Sequence, residues 1–171
     1  MLLRKRLAGG RVKSVTQSGF ERVIDFAVDT YTELGDPTTR HLIIEIMGRY
    51  SNLILTEQDG RIVDSIKRID VATSSRRQIL PGLAYELPPA QDKLSPLTVT
   101  EREIAALFVA PGSKQSADKF ILNTFAGISP IVAREVCHRA QVPTDTPADT
   151  LTHAQRQGLY NAVWALFACI R

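Results

Sequence analysis

Cysteine is scarce in this chain. Cys137 and Cys169 are its only two, too few for a disulfide framework or a thiolate metal site. Both fall in helix-like segments, and a reducing, cytoplasmic setting is the simplest inference. Long apolar runs are missing as well: no stretch of about eighteen apolar residues exists, so no membrane-spanning helix is expected. The N-terminus, Met1-Leu2-Leu3-Arg4-Lys5-Arg6, carries its basic residues after the leucines, the reverse of a signal peptide. Phosphate-loop, GxGxxG, HExxH and GxSxG strings do not occur. His41, His138 and His153 lie far apart and read as surface or structural residues. No enzyme activity, cofactor or metal is expected.

What is present is a chain of 171 residues, 44% of them hydrophobic, enough for one large domain or two small ones. The net charge of +3 is unevenly spread. Residues 1–77 carry 13 Lys and Arg against 10 Asp and Glu, whereas residues 78–171 carry 8 of each. Basic residues recur in the first half at Arg4-Lys5-Arg6, Arg11, Lys13, Arg49, Lys67-Arg68 and Arg76-Arg77. Such clusters suit phosphate neutralisation, although charge alone favours an ordinary solvated surface.

The first half reads as strands. After a brief helix over Leu2–Ala8, stopped by Gly9-Gly10, a short strand is expected at Val12–Val15. In Phe20–Asp29, Phe20, Ile24, Phe26 and Val28 alternate with Glu21, Asp25 and Asp29, the period of a half-buried strand. Leu34-Gly35-Asp36-Pro37 has turn chemistry. Strands follow at His41–Met47, Leu53–Thr56 and Arg61–Ile69, with a hairpin signal at Asp59-Gly60. Pro81-Gly82, Pro88-Pro89 and Pro96 make residues 80–97 a connector. The second half reads as helices, with capping boxes at Thr100–Glu103 and Thr152–Gln155 and a start at Ser129-Pro130. The expected fold is α+β: an antiparallel, β-rich unit over 1–90 and a helical module over 91–171.

Two polar groups stand out. Arg22 falls on the face otherwise built by Phe20, Ile24 and Phe26. It is either a rim residue that snorkels or an arginine held ready for a phosphate or base edge. Arg49, Ser51 and Asn52 lie between two apolar runs, next to Gly48. The pattern alone favours local turn hydrogen bonds; the alternative is a contact with an RNA backbone.

The chain resembles the NFACT-N domain of fibronectin-binding-protein-A-like proteins and ribosome quality-control factors. The residues that carry the resemblance are Met1–Lys5, Gly9-Gly10, Gln17–Phe26, Glu45–Leu55, Ile79–Gly82 and Pro88–Lys93. It implies a partial, glycosylase-like N-terminal sandwich followed by a helix-two-turn-helix-like module. It also implies binding to tRNA and to the large ribosomal subunit with stalled peptidyl-tRNA, in support of C-terminal alanine tailing. Two family motifs tied to tRNA recruitment fall on Glu21-Arg22, where the family usually has Asp-Arg, and on Glu45-Ile46-Met47. The implied tRNA-binding residues are therefore Glu21, Arg22, Glu45, Ile46 and Met47, with Arg49, Ser51 and Asn52 as further RNA contacts. Ala126–Pro130 stands at the turn between two helices; Pro130 there replaces an asparagine, which removes a phosphate-binding amide. In the family a further stretch of sheet precedes Met-Leu-Leu-Arg-Lys, so an open sheet edge and self-association are expected. An extracellular fibronectin-binding adhesin and a glycosylase-like DNA-binding relic are the alternatives.

Overall fold

A computed structural model describes residues 1–74, 76–89, 91–109 and 113–170. The chain forms two compact units, 1–90 and 91–171. The first opens with helix α1 (Leu2–Leu7) and continues as strands β1 (Arg11–Gln17), β2 (Val23–Tyr31), β3 (Pro37–Glu45), β4 (Asn52–Thr56) and β5 (Ile62–Ser65). The strands make one antiparallel sheet in sequence order, a meander. The second unit holds helices α2 (Glu101–Val109), α3 (Ala117–Thr124), α4 (Pro130–Arg139) and α5 (His153–Ala168). The fold is α+β.

Gly10 shows why the chain needs a glycine where α1 meets the sheet. A Cβ there would come within 2.8 Å of a Val28 methyl and 3.0 Å of the Leu7 carbonyl. Both approaches are closer than packed atoms tolerate.

The alternation along β2 is present, but the deeper core lies on the face opposite to the expected one. Val23 is buried with Ile43, Ile54, Ile62 and Ile79, whereas Ile24 and Phe26 stay half-buried. The acids on Val23's face have side-chain partners. Asp25 lies 2.9 Å from the His41 ring, and Asp29 accepts a 2.7 Å hydrogen bond from Thr39. The strand also starts later than the pattern suggests, at Val23, so Phe20, Glu21 and Arg22 belong to the preceding turn. Ile46 and Met47 likewise lie beyond β3. The expected strand over Arg61–Ile69 is shorter, because Asn52 takes the backbone of Lys67 out of the ladder.

The helical unit follows the sequence signals closely. Ser129 accepts from the Val132 N–H with Pro130 at the first helical position, and Thr152 with Gln155 completes a capping box on α5. Ala133, Val136 and Cys137 of α4 are buried, while Arg134, Glu135, His138 and Arg139 are exposed. Phe108 meets Phe120 and Phe125 meets Phe167 edge to face, at 5.8 and 5.0 Å between centroids. Such pairs add to what burial alone contributes.

Candidate nucleic-acid interface

The register of β2 and β3 brings the two separate motifs together. The strands pair without interruption from Tyr31 opposite Pro37 to Val23 opposite Glu45. One step beyond, the Ile46 N–H donates to the Arg22 carbonyl at 2.8 Å. Glu21-Arg22 and Glu45-Ile46-Met47 are therefore neighbours at one end of the sheet. The turn that carries Arg22 is pinned twice. Glu21 donates its N–H to the Ser18 carbonyl at 3.0 Å and accepts the Gln17 side-chain amide at 2.8 Å. Arg22 is exposed, Glu21 is half-buried, and Ile46 is 52% exposed.

Glu45 differs from these. It is 2% exposed, and its carboxylate is fully engaged inside the fold. Arg77 donates to both of its oxygens, and the Tyr85 hydroxyl donates to one of them at 3.0 Å. The Arg77 guanidinium also lies 5.1 Å from the centre of the Tyr85 ring and donates to the Glu86 carbonyl at 2.7 Å. A buried carboxylate needs such a two-pronged partner, since an unpaired one is costly. Burial, helped by the Glu45 charge, pushes the Tyr85 hydroxyl well above the ordinary tyrosine pKa. It stays protonated and donating. With both oxygens bonded and the side chain buried, Glu45 presents no exposed acceptor to a ligand, and its contribution to any site is positional. Arg77, grouped by charge with the phosphate-neutralising residues, is likewise committed to the interior, its side chain 11% exposed.

The stretch that follows turns on Gly48, whose φ of +58° lies in the left-handed region. Met47 is half-buried against the core and donates its N–H to the Ser51 hydroxyl at 2.8 Å. Asn52 is 5% exposed. It donates to the Lys67 carbonyl at 2.8 Å and accepts the N–H groups of Leu53 and Lys67, both at 2.9 Å. Ser51 and Asn52 therefore bond within the fold, and an exposed Asn52 amide facing RNA does not fit this burial. Arg49 remains at the surface, its guanidinium 4.6 Å from the Tyr50 ring centre and bonded to that hydroxyl. Lys67 reaches over to donate to the Arg49 carbonyl at 2.8 Å.

Exposed Arg22, Arg49, Lys67, Arg68 and Arg76 thus lie on or beside the segments that meet at this end of the sheet; among the described residues only Arg68 of these is paired to an acid, Asp64, at 3.1 Å. The residues that the sequence reading missed are Arg77 and Tyr85. Their signal was the alternation His41, Ile43, Glu45, which puts an acid on the same face as a core isoleucine and so demands a buried partner.

A family model described as the NFACT N-terminal and middle domains matches residues 1–171. The chain belongs to the NFACT family. It is 40% identical to the Rqc2 homolog RqcH of Bacillus subtilis (strain 168), over the whole of this chain and 28% of that protein. It is 33% identical to the Rqc2 homolog RqcH of Streptococcus suis (strain 05ZYH33), over 83% of this chain and 25% of that protein. Among solved structures, the fibrinogen binding protein from Staphylococcus aureus matches with a TM-score of 0.77 at 29% identity, covering 99% of this chain and 57% of that one. The N-terminal part of the fibronectin/fibrinogen-binding protein from Streptococcus suis matches with a TM-score of 0.74 at 28% identity, covering 98% and 57%. This NFACT chain spans under a third of the length of these curated relatives. No helix among its described residues is long and apolar enough to cross a membrane.

Proposed function

We propose that this NFACT chain is the RNA-binding part of a cytoplasmic ribosome quality-control factor. It binds tRNA and the large ribosomal subunit carrying a stalled peptidyl-tRNA, supports C-terminal alanine tailing, and acts as a recruiter without catalytic chemistry of its own. The observation that carries this reading is the 2.8 Å hydrogen bond from the Ile46 N–H to the Arg22 carbonyl, which makes the two motifs neighbours, with Arg22 and Ile46 exposed. Arg22 supplies planar, charged donors for phosphate or a base edge. Ile46 offers an apolar surface beside it, Glu21 sets the turn, and Arg49 extends the positive rim. Glu45 and Met47 act from beneath. The likeness to the Rqc2 homologs supports the ribosomal assignment.

A second reading, an extracellular adhesin, draws on the fibrinogen- and fibronectin-binding neighbours. Crosslinking in cells, followed by sequencing of the attached RNA, separates the two. Enrichment of tRNA and large-subunit ribosomal RNA is expected. An absence of RNA, with the protein at the cell surface, would favour the adhesin.

Every residue of the edge strand β1 is exposed, including Val12 and Val15 at 56% and 55%. An edge of that kind is a template for pairing, so the 171-residue chain is expected to self-associate in light scattering. A monodisperse monomer would contradict this.

A further inference from the structure

Glu45 and Asn52 face each other across β3 and β4. Both are polar and both are buried, at 2% and 5% exposure. Each grips one limb of the same loop. Asn52 holds the outgoing limb through both backbone groups of Lys67, at 2.8 and 2.9 Å. Glu45 holds the returning limb through the Arg77 guanidinium. Two residues further along the chain from each grip, Ile69 and Ile79 exchange backbone hydrogen bonds at 3.0 and 2.8 Å, with Ile79 wholly buried. The base of the loop is therefore fixed by a polar clamp and an apolar anchor.

The loop so held is basic. Lys67, Arg68 and Arg76 are exposed along it, whereas Arg77 is consumed by the clamp. Two acids lie in reach, Asp64 and Asp70, fewer than the basic residues. Asp64 pairs with Arg68 at 3.1 Å, and Asp70 accepts from the backbone and hydroxyl of Thr73 at 2.8 and 2.7 Å. Among the described residues the Lys67 ammonium bonds a carbonyl, that of Arg49, and no acid, and so keeps its charge uncompensated. A net positive loop on a rigid base beside Arg22 and Arg49 matches what a nucleic-acid backbone requires.

We propose that the loop between Lys67 and Arg77 is a second phosphate-binding element of the RNA site, with Lys67 and Arg76 touching phosphates and Glu45 and Asn52 acting as positioning residues. The inference rests on the tRNA-binding reading. It also gives the Glu of the Glu-Ile-Met motif a physical task, which is to hold the loop.

The test is tRNA affinity measured by fluorescence anisotropy as a function of salt, with the 171-residue chain. If the parent chain does not bind tRNA, the tRNA-binding reading itself fails, and the loop has no site to extend. If the parent binds, Lys67→Gln/Arg76→Gln is expected to bind more weakly. Its log–log salt slope should be shallower by about 2, roughly 1 per lost phosphate contact. An unchanged slope overturns the loop proposal and leaves the reading standing. Glu45→Gln keeps the side-chain shape and loosens the clamp. It should weaken binding roughly 2- to 30-fold in the parent and much less in the Lys67→Gln/Arg76→Gln background. A purely structural Glu45 would lower the melting temperature with no change in affinity below it, or would weaken binding equally in both backgrounds. Either result removes the positioning role.

Discussion

The two units solve the problem of an interior in different ways. The helical unit fills its core with Ile104, Phe108, Phe120, Phe125, Leu159 and Phe167, and buries no charged group among its described residues. The sheet unit has a much smaller apolar cluster. All the buried polar side chains among the described residues belong to it: Thr30, Arg40, Glu45, Asn52 and Thr56. Arg40 donates to Glu57 at 3.0 Å and to the carbonyls of Arg6 and Tyr31 at 3.0 and 3.1 Å. Apolar packing is forgiving of partners, whereas buried charge is specific about them. The unit that carries the proposed RNA surface is the one whose interior fixes backbone positions by paired charges. The shape of the sheet unit therefore depends on partners, and that of the helical unit on volume.

The largest effects expected should expose this contrast. Arg77→Ala strands the Glu45 carboxylate and should cost the sheet unit about 3–5 kcal/mol. Phe125→Ala opens a cavity and should cost the helical unit about 3–5 kcal/mol. The two losses differ in how they can be repaired. Adding Glu45→Gln to Arg77→Ala should restore part of the stability in denaturant titrations, because the stranded charge is gone. No change of charge elsewhere should rescue Phe125→Ala. If Arg77→Ala cost no more than an ordinary surface change, within about 0.5 kcal/mol, the polar clamp would not be a structural element.

A smaller effect comes from alkali. The folded state raises the Tyr85 pKa above its ordinary value of 10, through burial and then the Glu45 charge. A raised pKa contributes stability that is complete below pH 10 and is lost as pH climbs through and beyond that value. The sheet unit should therefore weaken above pH 10, and Tyr85→Phe should flatten that decline in thermal melts. An alkaline limb identical in Tyr85→Phe would detach the hydroxyl from the clamp.

The smallest effect is a change in reactivity alone. Burial pushes the Cys137 thiol up to about 11, while Cys169 is exposed. The thiolate is the reactive form. At pH 8, iodoacetamide should label Cys169 promptly and Cys137 only when the helical unit opens. Equal labelling in the folded chain would mean that the unit is not closed around α4.

Much of the fold was legible because it depends on local rules. Ser129 with Pro130, and Thr152 with Gln155, announce helix starts through their own side-chain chemistry, and the structure contains both caps. The face of α4 follows from helical spacing alone. The sheet was read less well where non-local pairing decides. Phe20 and Arg22 continue the alternation of β2 yet sit in a turn, because Gln17 and Ser18 tie that turn back on itself. Asp25 reads as a solvent-facing residue, yet its carboxylate meets the His41 ring from the neighbouring strand, diagonally across the ladder. At the candidate site, the family motifs pointed to Glu21-Arg22 and Glu45-Ile46-Met47, and strand register made them adjacent. The partner of Glu45 was out of reach, since Arg77 lies on a loop that no periodicity connects to β3. Ser51 and Asn52 were legible in one of their two readings, as residues that close hydrogen bonds within the fold.

The central claim is that Arg22, set beside Ile46 by the end of the β2–β3 ladder, is where tRNA lands. Its most direct test is tRNA binding by the Glu21→Ala/Arg22→Ala double variant, with circular dichroism melting as the control for folding. Loss of tRNA association with an unaltered melt is the result predicted. Undiminished tRNA binding by the folded double variant would contradict it.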